Sequence, residues 1–200
     1  YGDWLTNAPQ GICAPGSPNC NSNVLFLPGL EASRLYKTEL LGSDENQLWE
    51  PNRNDDVRAL FLDENGKSTT SYDIYTRDII KEINISPVAQ SNIYKSFSNM
   101  MDDLKNTQHK INDWESIPYD WRMSLSDLLA NGKKEGDYIY YSNDLKSTTT
   151  PYIIQELKKL AASSRTGKVT IIAHSNGGLL AKELMLHLGD TEVQRLIDKV

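Results

Sequence analysis

The nearly unbroken apolar run Val169-Thr170-Ile171-Ile172-Ala173, followed at once by His174-Ser175-Asn176-Gly177-Gly178 and a helical pattern that closes at Gly189, constrains this 200-residue chain more than any other feature. A buried strand must run straight into a helix through a tight turn with a serine at its apex. The string is a variant of the G-x-S-x-G nucleophile elbow, with Ala173 in the first place. That elbow needs a strained turn that lifts a serine hydroxyl above the sheet. Small residues at 173, 177 and 178 let strand and helix approach, and the N–H after the serine points at a developing oxyanion. The bare string recurs by chance, and an ordinary loop with a capping serine is the alternative. The strand before it, the helix after it and the second glycine favour the elbow.

The rest of the chain supplies a matching frame. Residues 24–27 (VLFL) form a short apolar run broken by Pro28-Gly29, the pattern of a strand buried on both faces in a parallel sheet. Residues 41–54 are polar apart from Leu48 and Trp49 and read as a loop. Residues 57–62, followed by Asn65-Gly66, read as a strand entering a turn, and 74–85 is ambiguous between strand and helix. From Ile93, apolar residues at 93, 97, 100, 101 and 104 have the spacing of an amphipathic helix. A strand with its exit turn is expected to end in Ile117-Pro118-Tyr119-Asp120-Trp121-Arg122. Thr150 suits a helix N-cap, with Pro151 at the first helical position. Ile153, Ile154, Leu157, Leu160 and Ala161 give that helix its stripe, and Gly167 follows its end. Strands alternating with helices predict an α/β fold with a mostly parallel sheet and flanking helices.

Composition narrows the function classes. Lys and Arg total 21 against 27 Asp and Glu, for a net charge of −6. No cluster of basic residues offers the face that phosphate neutralisation requires, so nucleic acid is excluded as an expected partner. No apolar run approaches the roughly 18–20 residues of a membrane-spanning helix. Residues 1–23, rich in Pro, Gly, Asn and Ser, form an irregular leader that holds both cysteines, Cys13 and Cys20. Six intervening turn-forming residues suit a small disulfide loop in an oxidising compartment, hence a secreted or extracytoplasmic origin. Free thiols are the alternative. A zinc site is disfavoured, because two thiolates need two further ligands and His109, His174 and His187 all lie far away in sequence.

Three segments in order, residues 24–35 (VLFLPGLEASRL), 118–122 (PYDWR) and 173–178 (AHSNGG), resemble the lecithin:cholesterol acyltransferase-like α/β-hydrolases, which include lysosomal phospholipase A2 and phospholipid:diacylglycerol acyltransferases. The P-Y-D-W-R string is the most specific of the three. The family usually has Gly where Ala32 and Ala173 stand, the mildest possible departure. The resemblance implies an α/β-hydrolase fold and a lipid ester substrate, met at a membrane or lipoprotein surface. It implies Ser175 as the acyl-accepting nucleophile, with the backbone N–H groups of Leu30 and Asn176 forming the oxyanion hole. It implies no metal and no organic cofactor. Asp120 and Arg122 suit a brace for the turn better than a substrate contact. Trp4, Trp49 and the 41–54 loop are candidates either for touching lipid or for packing.

The base is not evident. His174 adjoins Ser175, but successive residues of an extended strand point to opposite sides, so a packed or hydrogen-bonded role suits it better. His187 is expected on a helix face and His109 in solvent. α/β-Hydrolases order their groups serine, acid, histidine along the chain, and after Ser175 only Asp190 and Asp198 remain without a suitably placed histidine. The expectation is therefore that residues 24–200 are the N-terminal half of an α/β-hydrolase domain. Its remaining strands and the triad Asp and His would come from beyond Val200 or from a second chain, and the 200 residues alone would be inactive. The alternatives are a non-catalytic binding domain that keeps the elbow, or a peptidase or thioesterase on the same scaffold.

Overall fold

The computed structural model describes residues 13, 20–38, 45–51, 53–70, 73–86, 89–141 and 150–200, with the backbone alone for 84–86, 89 and 90. The first elements are β1 (Asn23–Leu27), β2 (Leu35–Thr38), β3 (Glu45–Trp49), α1 (Asn54–Ala59), β4 (Ile74–Thr76), β5 (Glu82–Ser86) and β6 (Ala89–Asn92). They are followed by α2 (Lys95–Asn106), β7 (Trp114–Ser116), α3 (Leu125–Asn131), β8 (Lys133–Glu135) and β9 (Tyr138–Tyr140). The last are α4 (Tyr152–Ser163), β10 (Val169–Ala173), α5 (Asn176–Leu196) and β11 (Ile197–Lys199).

Among the described residues, β11, β10, β1 and β7 form a four-stranded sheet in that order, and every pairing is parallel. Side chains alternate across β1. Leu25 and Leu27 enter the main core with Leu128 and Leu129 of α3, Leu157 and Leu160 of α4, and Leu180 and Leu184 of α5. Val24 and Phe26 pack on the opposite face, against Tyr94 and against Phe97 and Met101 of α2. Both faces are therefore covered, which is why residues 24–27 read as a continuous apolar run. Burying each such side chain stabilises the fold by about 1.5–3 kcal/mol. Asn23, fully buried at the start of β1, spends all its hydrogen-bonding capacity on the frame. Its Nδ2 donates to Leu160 O (3.0 Å) and Ser163 Oγ (2.9 Å), and its Oδ1 accepts from the N–H groups of Asn112 (3.1 Å) and Asp113 (2.8 Å).

The α/β expectation holds for this layer, and a second layer departs from it. β3, β2, β4, β9 and β8 form an antiparallel sheet in that order, and β5 pairs with β6. Residues 45–49 are thus an edge strand, not loop; only Leu48 in it is buried, so the polar sequence masks it. Residues 57–62 do not form a strand. Helix α1 takes the first of them because the Asp56 carboxylate accepts from the Arg53 N–H (3.0 Å) and acidic residues occupy its first turn. Asn65-Gly66 does turn, with Gly66 at φ 73°. The ambiguous 74–85 region is strand at both ends. In α2 the buried stripe runs through Phe97, Met101 and Leu104, while Ile93 precedes the helix and Met100 is exposed. Pro151, not Thr150, is the N-cap of α4, whose predicted stripe is buried throughout. Helix α5 breaks at Gly189 (φ 72°) as expected, then resumes to Leu196.

Cys13 and Cys20 are joined by a disulfide, and the Cys13 N–H donates to Arg165 O (2.8 Å), tying this loop to the turn after α4. Trp4 and most of the leader, with residues 41–44 and 52 of the predicted 41–54 loop, lie outside the described residues. No helix among the described residues is long and apolar enough to cross a membrane.

Candidate active site

Leu27 pairs with Ala173, and Phe26 with Ser116, so β1, β7 and β10 end level at one edge of the sheet. The three motif segments singled out from the sequence leave from these three carboxyl ends. In open parallel sheets that edge is where ligands bind.

Ser175 occupies the turn between β10 and α5 with φ 53° and ψ −122°, a left-handed conformation that costs a non-glycine residue about 1–3 kcal/mol. It stands at the N-cap position of α5 and is exposed, yet its side chain makes no capping hydrogen bond. The capping-serine alternative therefore fails here, because an N-cap serine accepts from the helix's first N–H groups. The turn is closed by backbone alone: the Gly177 N–H donates to His174 O (2.9 Å) and the Gly178 N–H to Ser175 O (2.9 Å).

The glycines differ in what they permit. A Cβ on Gly177 would meet Leu27 O at 2.2 Å and Pro28 O at 2.6 Å, so this residue lets α5 lie directly on the end of β1. A Cβ on Gly178 would meet nothing within 4 Å, and the close approach expected of it is not made. Gly29 closes the third side, since a Cβ there would stand 3.0 Å from His174 Nδ1 and 3.2 Å from Ser175 Cβ. The loop after β1 thus lies against the elbow.

Leu30, just beyond, is exposed in a turn closed by the Ala32 N–H donating to Gly29 O (3.3 Å), with Glu31 at φ 57°. Four aromatic residues hold this loop. Tyr94 Oη accepts from the Gly29 N–H (2.9 Å), Tyr119 Oη donates to Pro28 O (3.0 Å), Trp121 Nε1 donates to Ser33 O (3.1 Å), and Trp49 Nε1 donates to Glu31 O (2.7 Å). Trp49 also packs edge-on against Trp121 at 5.3 Å, so the structure gives it the packing role. The hydrogen bonds among the described residues include none from the N–H of Leu30 or of Asn176, which leaves both donors available at this edge. The exposed side chains of Leu30 and Leu179 give the rim an apolar character.

Asp120 and Arg122 brace the P-Y-D-W-R segment as expected. Arg122 Nε donates to Asp120 Oδ1 (2.8 Å) and Nη2 to Oδ2 (2.5 Å), and both side chains are 5% exposed. His174 Nδ1 is hydrogen-bonded to Tyr94 Oη at 2.8 Å, although its ring is exposed. His187 is exposed about 17 Å along α5 from its start, given a rise of 1.5 Å per residue. His109 is exposed in the loop at the far end of α2 from Tyr94. Asp190 follows the break in α5, and Asp198 accepts from Ser22 Oγ (2.8 Å) at the amino edge of the sheet, opposite Ser175. Neither aspartate is placed to form a triad with Ser175. Among the described residues no cluster of His, Cys, Asp and Glu has the makings of a metal site.

Tyr94 and Tyr119 were not singled out from the sequence. Tyr119 lies inside the P-Y-D-W-R string, and Tyr94 puts a polar tip at the mouth of an apolar helical stripe; either could have been read as a buried hydroxyl in need of partners. Burial, above all, raises the phenol pKa of both, so they remain protonated donors through neutral pH.

Comparison with curated proteins and with solved structures matches nothing. Comparison with protein families matches lecithin:cholesterol acyltransferase over residues 55–199, which takes in the P-Y-D-W-R segment and the elbow, while the loop after β1 lies outside it. By that match, which spans most of the chain, the protein belongs to the lecithin:cholesterol acyltransferase family, a class of lipid acyltransferases and phospholipases.

Proposed function

We propose that Ser175 is the nucleophile of a lipid esterase or acyltransferase that works through an acyl-enzyme. The observation that carries the reading is the left-handed Ser175 at a strand-to-helix turn, with an exposed hydroxyl spared from capping. Ser175 Oγ adds to the ester carbonyl carbon and loses its proton to a general base. The N–H groups of Leu30 and Asn176 donate to the resulting oxyanion. Collapse expels the alcohol, which takes up the proton from the base, and water or a second alcohol then attacks the acyl-enzyme by the same path in reverse. The base and its acid are groups other than Asp190, Asp198, His109, His187 and His174, since the first four stand away from Ser175 and His174 is engaged by Tyr94. The substrate is a lipid ester, in keeping with the family and with the apolar rim of Leu30 and Leu179. The Cys13–Cys20 disulfide supports a secreted or extracytoplasmic setting.

The test is turnover of long-chain phospholipid by the intact protein, set beside turnover of peptides and acyl thioesters. Phospholipid should be preferred, and Ser175→Ala should abolish its turnover. A Ser175→Ala variant that keeps its activity overturns the proposal.

A further inference from the structure

The peptide unit between Pro28 and Gly29 has one carbonyl and one N–H, and each is held by a different buried tyrosine. Tyr119 Oη donates to the carbonyl (3.0 Å), and Tyr94 Oη accepts from the N–H (2.9 Å). Each hydroxyl also reaches the elbow. Asn176 Nδ2 donates to Tyr119 Oη at 3.2 Å, and Tyr94 Oη is 2.8 Å from His174 Nδ1. The peptide that precedes Leu30 is therefore tied to both residues that flank Ser175.

A carbonyl only accepts, so Tyr119 gives its proton to Pro28 O and keeps a lone pair for the Asn176 amide. Tyr94 uses a lone pair on the Gly29 N–H and shares a second hydrogen bond with His174 Nδ1. Tyr119 is fully buried and Tyr94 nearly so, and Tyr94 is fixed further by edge-to-face contact with Phe26 at 4.9 Å. The two bonds to the Pro28–Gly29 peptide are buried, and those to His174 and Asn176 are partly buried.

We infer that Tyr94 and Tyr119 are positioning residues that clamp the Pro28–Gly29 peptide to His174 and Asn176, and so fix the distance between the Leu30 and Asn176 N–H groups. Neither tyrosine touches substrate. This inference rests on the proposed oxyanion hole. An oxyanion hole works only when its donors are already in place as charge develops, and an error near 1 Å costs on the order of 10² in rate.

The test is Tyr94→Phe and Tyr119→Phe in the intact protein, with kcat and KM measured on a p-nitrophenyl ester, beside Ser175→Ala. Each variant is also titrated with a trifluoromethyl ketone, which forms the oxyanion adduct, and with the matching methyl ketone. Thermal unfolding sets the folded fraction. Each tyrosine variant should lose about 10- to 100-fold in kcat with KM within about threefold, and should lose trifluoromethyl-over-methyl preference by a similar factor. A merely stabilising role would lower the unfolding temperature and leave that preference unchanged. Wild-type kcat and preference in folded tyrosine variants, beside an inactive Ser175→Ala, overturn the clamp alone. Activity surviving in Ser175→Ala overturns the nucleophile reading and the clamp with it.

Discussion

Gly177→Ala offers a direct test of how the elbow is packed. The added methyl would sit 2.2 Å from Leu27 O, 2.6 Å from Pro28 O and 2.8 Å from the Leu27 carbonyl carbon, all of them backbone atoms. Ordinary carbon contacts lie at about 3.5–4.0 Å, so β1 and α5 must separate by about 1 Å. Leu27 O also accepts from the His174 N–H (3.0 Å), and that bond would stretch as the strand moves. Overpacking of this kind costs about 1–3 kcal/mol and the weakened hydrogen bond about 1 kcal/mol more, for a total near 3 kcal/mol. In a domain of this size each kcal/mol is about 2–4 °C, so the unfolding temperature should fall by about 6–12 °C. The neighbouring Gly178→Ala has open space around its methyl and lies inside a helix, where Ala exceeds Gly by about 1 kcal/mol. That variant should unfold about 2–4 °C higher than wild type. Scanning calorimetry of the three proteins decides the matter. A Gly177→Ala protein within 2 °C of wild type, or equal losses at both positions, would refute the packing argument.

Two further outcomes follow from charges away from the serine. Burial, and then the charge of Glu156, raises the Glu115 carboxyl pKa against the opposing pull of Lys134 and Lys159. A folded-state pKa above the unfolded value of about 4.5 means that Glu115 costs stability once ionised, beginning as pH rises past that value and complete above its raised folded pKa. Glu115→Gln should therefore unfold above wild type at pH 7.5, with the difference vanishing toward pH 4; a difference that does not change with pH would contradict the assignment. For the buried Asp120–Arg122 pair, Arg122→Met leaves a carboxylate without its partner and should cost about 3–5 kcal/mol in chemical denaturation. The double variant Asp120→Leu/Arg122→Met should recover part of that loss, and purely additive losses would show that the two charges do not act as a pair.

The parallel layer was legible in the sequence because burial on both faces writes continuous apolar runs, as in residues 24–27 and 169–173, and because α4 carries its stripe at helical spacing. The antiparallel layer was not. Its strands are three to five residues long, one edge strand buries only Leu48, and its contacts are cross-strand tyrosine pairs such as Tyr36 with Tyr75 (5.8 Å), which no short-range period announces. Helix α1 was missed because Val57, Leu60, Phe61 and Leu62 look like a strand core, whereas Val57 and Phe61 are exposed and the start is set by Asp56 reaching back to Arg53. At the site, the serine and its turn were visible as a string. The link between Gly29, Tyr94 and His174 joins residues 65 and 80 positions apart, and only the fold brings them together.

The central claim is that Ser175 is the residue that takes the acyl group. Treating the intact protein with a fluorophosphonate and mapping the adduct by peptide mass spectrometry tests it at the atom concerned. The account predicts a single phosphonylated residue, Ser175, and no label after Ser175→Ala. An active enzyme that labels at another serine, or labels equally in Ser175→Ala, would contradict it.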